Sequence, residues 1–202
     1  MTFRSSTYLG LVFALSAVTG YAASNNEAER FVTQVCSLCH GHDGNSTSPL
    51  FPRLAGQSAA YIDKQLKAFR AHQRADPPAQ AYMWGMASQL DDVQIANLAA
   101  YFAARPVTVS TSSSSTLASA GKAIYESGVA AQGIPACVSC HGDVAVGGSP
   151  YPRLRGQHPE YLLKQLQYFK SRLRSTDPVM LELCDRLTED QMRAVVAYAA
   201  FR

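Results

Sequence analysis

One pentapeptide, present twice, constrains this chain more than any other feature: Cys36-Ser37-Leu38-Cys39-His40 and Cys137-Val138-Ser139-Cys140-His141. Each reads C-x-x-C-H, the attachment signature of a c-type haem. Two thiols add across the two vinyl groups of a porphyrin, and two intervening residues let one turn of backbone reach both. The histidine that follows then lies under the ring and can offer an imidazole nitrogen to iron. Other chemistries use C-x-x-C. Zinc ribbons place their two pairs ~15–20 residues apart, whereas here about a hundred residues separate them. Thioredoxin-type dithiols sit in βαβ surroundings, which neither pair has, and two adjacent-turn disulfides would staple very little. The pattern predicts two covalently bound haem c groups, held by Cys36, Cys39, Cys137 and Cys140, with His40 and His141 on the irons.

The first 23 residues read as a cleaved signal peptide: Arg4, an apolar stretch from Tyr8 to Val18, then Gly20-Tyr21-Ala22-Ala23. That stretch is too short for a bilayer span of ~20 residues. Export to the periplasm, where c-type haem is attached, is the expectation. The net charge is +3, and removing the signal leaves +2. No dense Lys/Arg stripe points to nucleic acid. Lys164, Lys170, Arg172 and Arg174 form a modest basic cluster, read as a solvated helix face and its following loop rather than a docking patch.

The mature sequence is an internal repeat. Phe51-Pro52-Arg53-Leu54-Ala55-Gly56-Gln57 matches Tyr151-Pro152-Arg153-Leu154-Arg155-Gly156-Gln157. Tyr61, Lys64, Gln65, Leu66 and Phe69 match Tyr161, Lys164, Gln165, Leu166 and Phe169. Apolar residues recur at helical spacing, as in Tyr61, Ile62, Leu66 and Phe69, and no strand-like alternation appears. Helices are predicted over Asn25 to Val35, Ser58 to His72, Asp91 to Ala104, Leu117 to Ser127 and Pro159 to Ser171, with a last one capped by Thr188. Asp91 with Gln94 and Thr188 with Gln191 read as capping boxes. The division predicted is a signal over 1–23, a first domain over 24–105, a linker over 106–117 and a second domain over 118–202. The fold class is all-α: two small helical bundles, each packed around one haem.

The repeat also selects the other axial ligand. Met83 lies seven residues before Leu90, and Met180 seven before Leu187, both in an expected loop ahead of the last helix. Met86 and Met192 do not recur and read as packing residues. His42, His72 and His158 do not recur either and read as surface polar residues. Thioether sulfur is a soft ligand that favours reduced iron and raises the potential. Pro52 and Pro152 follow the haem histidines at nearly equal distance, suited to accept a hydrogen bond from the histidine's other ring nitrogen. Arg53, Arg153, Gln57 and Gln157 read as holding haem propionates or as ordinary surface residues, and Tyr61 and Tyr161 as core residues or propionate partners. Cys184, the fifth cysteine, aligns with Ala87 and reads as a small packing residue.

The F/Y-P-R-L-x-G-Q segments, the Y-x-x-K-Q-L helices, the methionine loops and the exported tandem together resemble the cytochrome c4 family, over essentially the whole mature chain. The resemblance implies two class I cytochrome c folds with haem edges facing across a pseudo-twofold interface. It implies a periplasmic electron carrier, monomeric, with a quinol-oxidising complex or dehydrogenase as donor and a terminal oxidase as acceptor, and peripheral contact with the membrane. Two other functions use similar parts: the haem subunit of a dehydrogenase, such as a flavocytochrome sulfide dehydrogenase, and a dihaem peroxidase. Matched methionines on both irons argue against the peroxidase, which needs an open sixth position. One departure is that Asp76 to Met83 is four residues longer than Asp177 to Met180, so the two haem environments should differ.

Overall fold

The computed structural model describes residues 26–109, 116–143, 146–148 and 150–201. The signal peptide expected over 1–23 and the middle of the linker expected over 106–117 lie outside the described residues. Every named element among the described residues is helical. Among the described residues only two isolated bridges, Val129–Ile134 and Gly148–Tyr151, pair extended backbone.

In the first half, α1 runs over 26–40, with a π-helical stretch at Val32–Cys36 and a last turn at Ser37–His40. Helix α2 spans Ala59–Arg70, with the Ser58 hydroxyl accepting from the Tyr61 amide. Helix α3 covers 79–87, π-helical over Ala79–Met83 and regular over Trp84–Ala87. Helix α4 spans Asp92–Ala103, and its Asp91/Gln94 capping box is closed in both directions. The second half contains α5 (Thr116–Ser127), α6 (Val138–His141), α7 (Pro159–Lys170), α8 (Pro178–Arg186) and α9 (Glu189–Ala199). The Thr188/Gln191 box also closes both ways.

The methionine segments, expected as loops, are helices α3 and α8. Each starts beside a proline, Pro78 or Pro178, whose locked φ suits a first turn. For α8 the Asp177 carboxylate also accepts from the Met180 amide. The α3 residues that follow are mostly good helix formers, so nothing keeps the segment extended.

The first half has one core, where Val32, Ile62, Phe69, Ala87, Ile95, Leu98 and Phe102 meet, with Cys36, Leu54, Leu66, Met83 and Trp84 packed at its margin. The second half has two clusters. Tyr125, Val195, Tyr198 and Ala199 pack with Cys137 and Leu154; Ile134, Phe169, Cys184, Leu187 and Met192 pack with Met180 and Leu183. Leu166 touches both. The apolar residues therefore separate into a cysteine side and a methionine side, with a flat apolar group wanted between them. Helices α5 and α9 cross so closely that a Cβ on Gly121 would stand 1.9 Å from the Ala194 carbonyl oxygen.

The halves are locked by a pair of equivalent contacts. Gln57 accepts from the Arg153 amide (2.7 Å) and donates to the Arg153 carbonyl (3.0 Å). Gln157 accepts from the Arg53 amide (2.8 Å) and donates to the Arg53 carbonyl (2.9 Å). A glutamine amide has one donor and one acceptor end, so each copies the pairing of a backbone peptide across the interface.

Candidate haem sites

Each C-x-x-C-H occupies a single helical turn ended by a glycine. Gly41 has φ 77° and Gly142 has φ 80°, a region that favours residues without Cβ. The turn sets the two thiols and the imidazole of one motif on neighbouring positions. His40 and His141 are both buried.

The histidine geometry is the same in both halves. His40 Nδ1 lies 2.9 Å from the Pro52 carbonyl oxygen, and His141 Nδ1 lies 3.0 Å from that of Pro152. A carbonyl only accepts, so Nδ1 carries the proton. Burial pushes both imidazoles below their ordinary pKa, the carbonyl bonds opposing it in part, so they are held neutral. A neutral ring with its proton on Nδ1 has a bare Nε2 lone pair, the atom a metal takes. Phe51 and Tyr151 lie edge-on to these rings at 6.2 and 6.5 Å.

Met83 ends the π turn of α3, and Met180 sits in the first turn of α8. Each is half-buried against the core of its own half. Met192 is fully buried, as expected of a packing residue, but Met86 is 50 % exposed and packs on little. Cys184 is fully buried beside Met180, and burial pushes its thiol up to about 12. The first thiols of the two motifs, Cys36 and Cys137, are pushed up to about 11 by burial. Among the described residues no cluster of histidine, cysteine and carboxylate side chains assembles to hold a metal ion directly.

Arg53 and Arg153 reach across the interface. Arg53 donates to the carbonyls of Ser46, Thr108 and Gly156, and Arg153 to those of Ala55 and Arg155. Gln57 and Gln157 are the interdomain locks described above. All four combine a position beside the proline–histidine contacts with a structural task that spacing could not reveal. His42 is exposed and bonded to Thr33, and His72 is exposed and stacked on Trp84 with centroids 4.2 Å apart. His158 departs from the surface reading: it is 8 % exposed, and its Nε2 lies 2.9 Å from the Ser46 carbonyl of the other half.

The basic cluster of the second half also changes meaning. Lys170 donates to the carbonyls of Cys184, Asp185 and Leu187, closing the C-terminal end of α8. Arg172 pairs with Asp185. Arg174 is 4 % exposed, in the interface. Sequence reading gave Tyr61, Tyr161 and Arg174 other roles and missed the centre in which they meet Arg74, Gln65 and Gln165. Its signal was present in the repeat, since all three residue types recur at matching positions.

Comparison with known proteins agrees with this geometry. The cytochrome c family model matches twice, over residues 26–104 and 118–199. A cytochrome c-552 of Acidithiobacillus ferridurans is 40 % identical, the alignment covering 97 % of this chain and 87 % of that protein. The structure of cytochrome c4 from Acidithiobacillus ferrooxidans superposes with a TM-score of 0.77 at 41 % identity, over 83 % of this chain and 98 % of that one. The thiosulfate dehydrogenase TsdBA of Marichromatium purpuratum superposes at 0.74 and 35 % identity, over 86 % of this chain but only 39 % of that one. Buried imidazoles with bare Nε2, paired thiols on one turn and orphaned buried guanidinium nitrogens such as Arg174 Nε fit an apolar plate with a carboxylate edge. The repeated sites, the helical halves around them and these likenesses lead to one conclusion: the chain belongs to the cytochrome c4 family, an electron-transfer protein of two tandem cytochrome c domains with two covalently bound haem c groups.

Proposed function

We propose that the chain is a diffusible periplasmic carrier, monomeric, taking single electrons from a quinol-oxidising complex or a dehydrogenase and delivering them to a terminal oxidase, with at most peripheral membrane contact. Residues 1–23 direct export, 24–105 and 118–202 are the two haem domains, and 106–117 joins them. Among the described residues no helix is long and apolar enough to cross a membrane. When bound, each haem supplies a one-electron ferric–ferrous couple. Cys36, Cys39, Cys137 and Cys140 hold the porphyrins through thioethers. His40 and His141 ligate through Nε2, and Met83 and Met180 complete the iron coordination through thioether sulfur. Pro52 and Pro152 keep the imidazoles oriented, and Arg53, Arg153, Gln57 and Gln157 surround the haems.

The observation that carries this reading is the histidine–proline contact made at 2.9 and 3.0 Å in the two halves. It holds two rings in one tautomer, aimed alike, which a carrier with small reorganisation requires. A specific observation supports a second reading, a haem partner of a dehydrogenase: the likeness to part of TsdBA.

Mass spectrometry of the processed protein is expected to show two haems, and one after Cys140→Ser. Met180→His should keep the second haem but lower its potential, because imidazole favours oxidised iron more than thioether does. Met86→Leu should leave both haems unchanged. Loss of a sulfur–iron charge-transfer band in Met86→Leu but not in Met83→Leu would overturn the ligand assignment. Copurification with a dehydrogenase in fixed stoichiometry would favour the second reading, and turnover of free protein by oxidase-containing membranes the first.

A further inference from the structure

The interface centre contains two buried guanidiniums and one carboxylate. Arg74 and Arg174 are each 4 % exposed, and Asp76 is 1 % exposed. Arg74 is fully engaged. Its Nε donates to Asp76 at 2.8 Å, Nη1 to Gln65 Oε1 at 2.8 Å, and Nη2 to Gln165 Oε1 at 2.7 Å and the Tyr161 hydroxyl at 3.3 Å. Arg174 repeats only part of this. Its Nη1 donates to Gln165 Oε1 at 2.7 Å, and Nη2 to the Tyr61 hydroxyl at 2.7 Å and Gln65 Oε1 at 3.2 Å. Its Nε is buried without a partner. Two residues after Arg74 stands Asp76; two residues after Arg174 stands Thr176. The aspartate that the repeat aligns with Asp76 is Asp177, one residue further on, and it is engaged elsewhere, accepting from the Met180 amide and pairing with Lys64.

A guanidinium is always charged, and a buried charged donor left unpaired is costly. An anion is therefore wanted at Arg174 Nε. Arg174 lies over the Phe169 ring, 4.5 Å from its centroid. Phe169 packs in the cluster that borders Met180 and Leu183, on the methionine side of the second crevice. The vinyl edge of a c-type haem is committed to Cys137 and Cys140, and the opposite edge carries two propionate carboxylates. Arg105 and Arg155 also have an orphaned Nε, but both are only half-buried. Arg153 is buried and its Nε is orphaned too, but its terminal nitrogens are held by backbone carbonyls beside Arg53 and Arg155, away from the aromatic lining of the crevice.

We propose that Arg174 pairs through Nε with a propionate of the second haem, taking there the role that Asp76 has against Arg74. The inference rests on the two-haem reading above. Its consequence is an asymmetry of tuning. In the first domain the guanidinium charge is balanced by protein. In the second it is balanced only by the cofactor, so it acts on that haem's potential. A nearby cation favours the reduced iron, which carries one positive charge fewer.

The test is spectroelectrochemistry of the intact two-haem protein. Arg174→Gln is expected to shift the second haem toward oxidation by about tenfold in its equilibrium, which is about 59 mV for a one-electron couple. Arg74→Gln should move the first haem less, and Arg174→Lys should recover most of the loss. Thr176→Asp supplies the missing carboxylate and should lower the second haem's potential, while the exposed neighbour Ser175→Asp should do so several-fold less. A two-haem Arg174→Gln protein whose second potential stays within twofold of wild type overturns the pairing. Should Arg174→Gln fail to load haem, an equal effect of Thr176→Asp and Ser175→Asp overturns it instead. Wild-type protein lacking a second haem would overturn the underlying reading, a separate outcome visible in the mass.

Discussion

The two halves place a methionine seven residues before a matching leucine, yet they build the helix that carries it differently. In the second half Asp177 caps a regular α8, and Met180 falls in its first turn with its amide on the Asp177 carboxylate. In the first half the segment from Asp76 is four residues longer. The added length is taken up by the π-helical start of α3, so Met83 sits a turn later. The residue before the first haem motif shows the same habit, since α1 is π-helical up to Cys36, whereas α6 enters the second motif after a turn at Ala130–Gln132. Trp84 adds an anchor with no counterpart: its indole N–H donates to the Arg74 carbonyl at 2.8 Å. A duplicated segment can thus keep its methionine at one register while the backbone that delivers it diverges, π turns being a common way to absorb an insertion at a functional position.

The largest expected break in this comparison comes from Asp76. It gives the first half its own counter-charge, and the Arg74–Asp76 pair is almost wholly buried. Asp76→Ala leaves a guanidinium unbalanced, an effect of about 3–5 kcal/mol for a buried pair. Denaturant unfolding should show that loss. Thr176→Ala, at the same distance from Arg174 in the second half, should change stability little. A near-equal effect of the two substitutions would mean that the counter-charge asymmetry does not govern interface stability.

Gly121 tests the second half alone. Its α5–α9 crossing leaves no room for a Cβ against the Ala194 carbonyl. Gly121→Ala is expected to cost at least the ~1–3 kcal/mol typical of overpacking, because backbone rather than a flexible side chain is in the way. Thermal melts followed at the haem absorption should show the second haem environment lost first. A single transition with unchanged midpoint would show that the helices can separate without penalty.

What the sequence made legible was local. The two capping boxes and the helix led by Pro159 depend on residues within a few positions of one another and appear as read, whereas the prolines at 78 and 178, expected to break the chain, stand at the start of helices. The methionine register was legible from repetition, but its helical setting was not, because a short segment with a proline at its head looks the same as a turn and as a first helical turn. The interface was illegible for a physical reason. Gln57, Gln157, Arg74 and Arg174 are polar residues whose partners lie on the other half of the chain, and composition marks such residues as solvated. Only the fold brings their donors and acceptors together, as it does for Arg53 with Gly156 and Arg153 with Ala55.

The smallest expected effect belongs to His158, where the halves differ by one side chain: Ser58 caps α2 and His158 stands before α7. His158 Nε2 donates to the Ser46 carbonyl across the interface, and its amide donates to Gln157 Oε1 at 3.1 Å, tying it to the glutamine lock. Burial, then the Arg53 guanidinium, pushes its pKa below 6.5, with the Ser46 carbonyl and Glu160 opposing. The native imidazole therefore resists protonation more than the unfolded one. Its contribution to stability is fully present above about pH 6.5 and is lost as pH falls through the lower folded value. Wild type should lose interface stability between neutral and mildly acidic pH. His158→Gln, which keeps a donor but cannot titrate, should flatten that part of the curve. An unchanged acid-side slope in the variant would mean that the cross-domain contact at Ser46 tolerates the charged ring, and that the acid sensitivity of the molecule lies elsewhere.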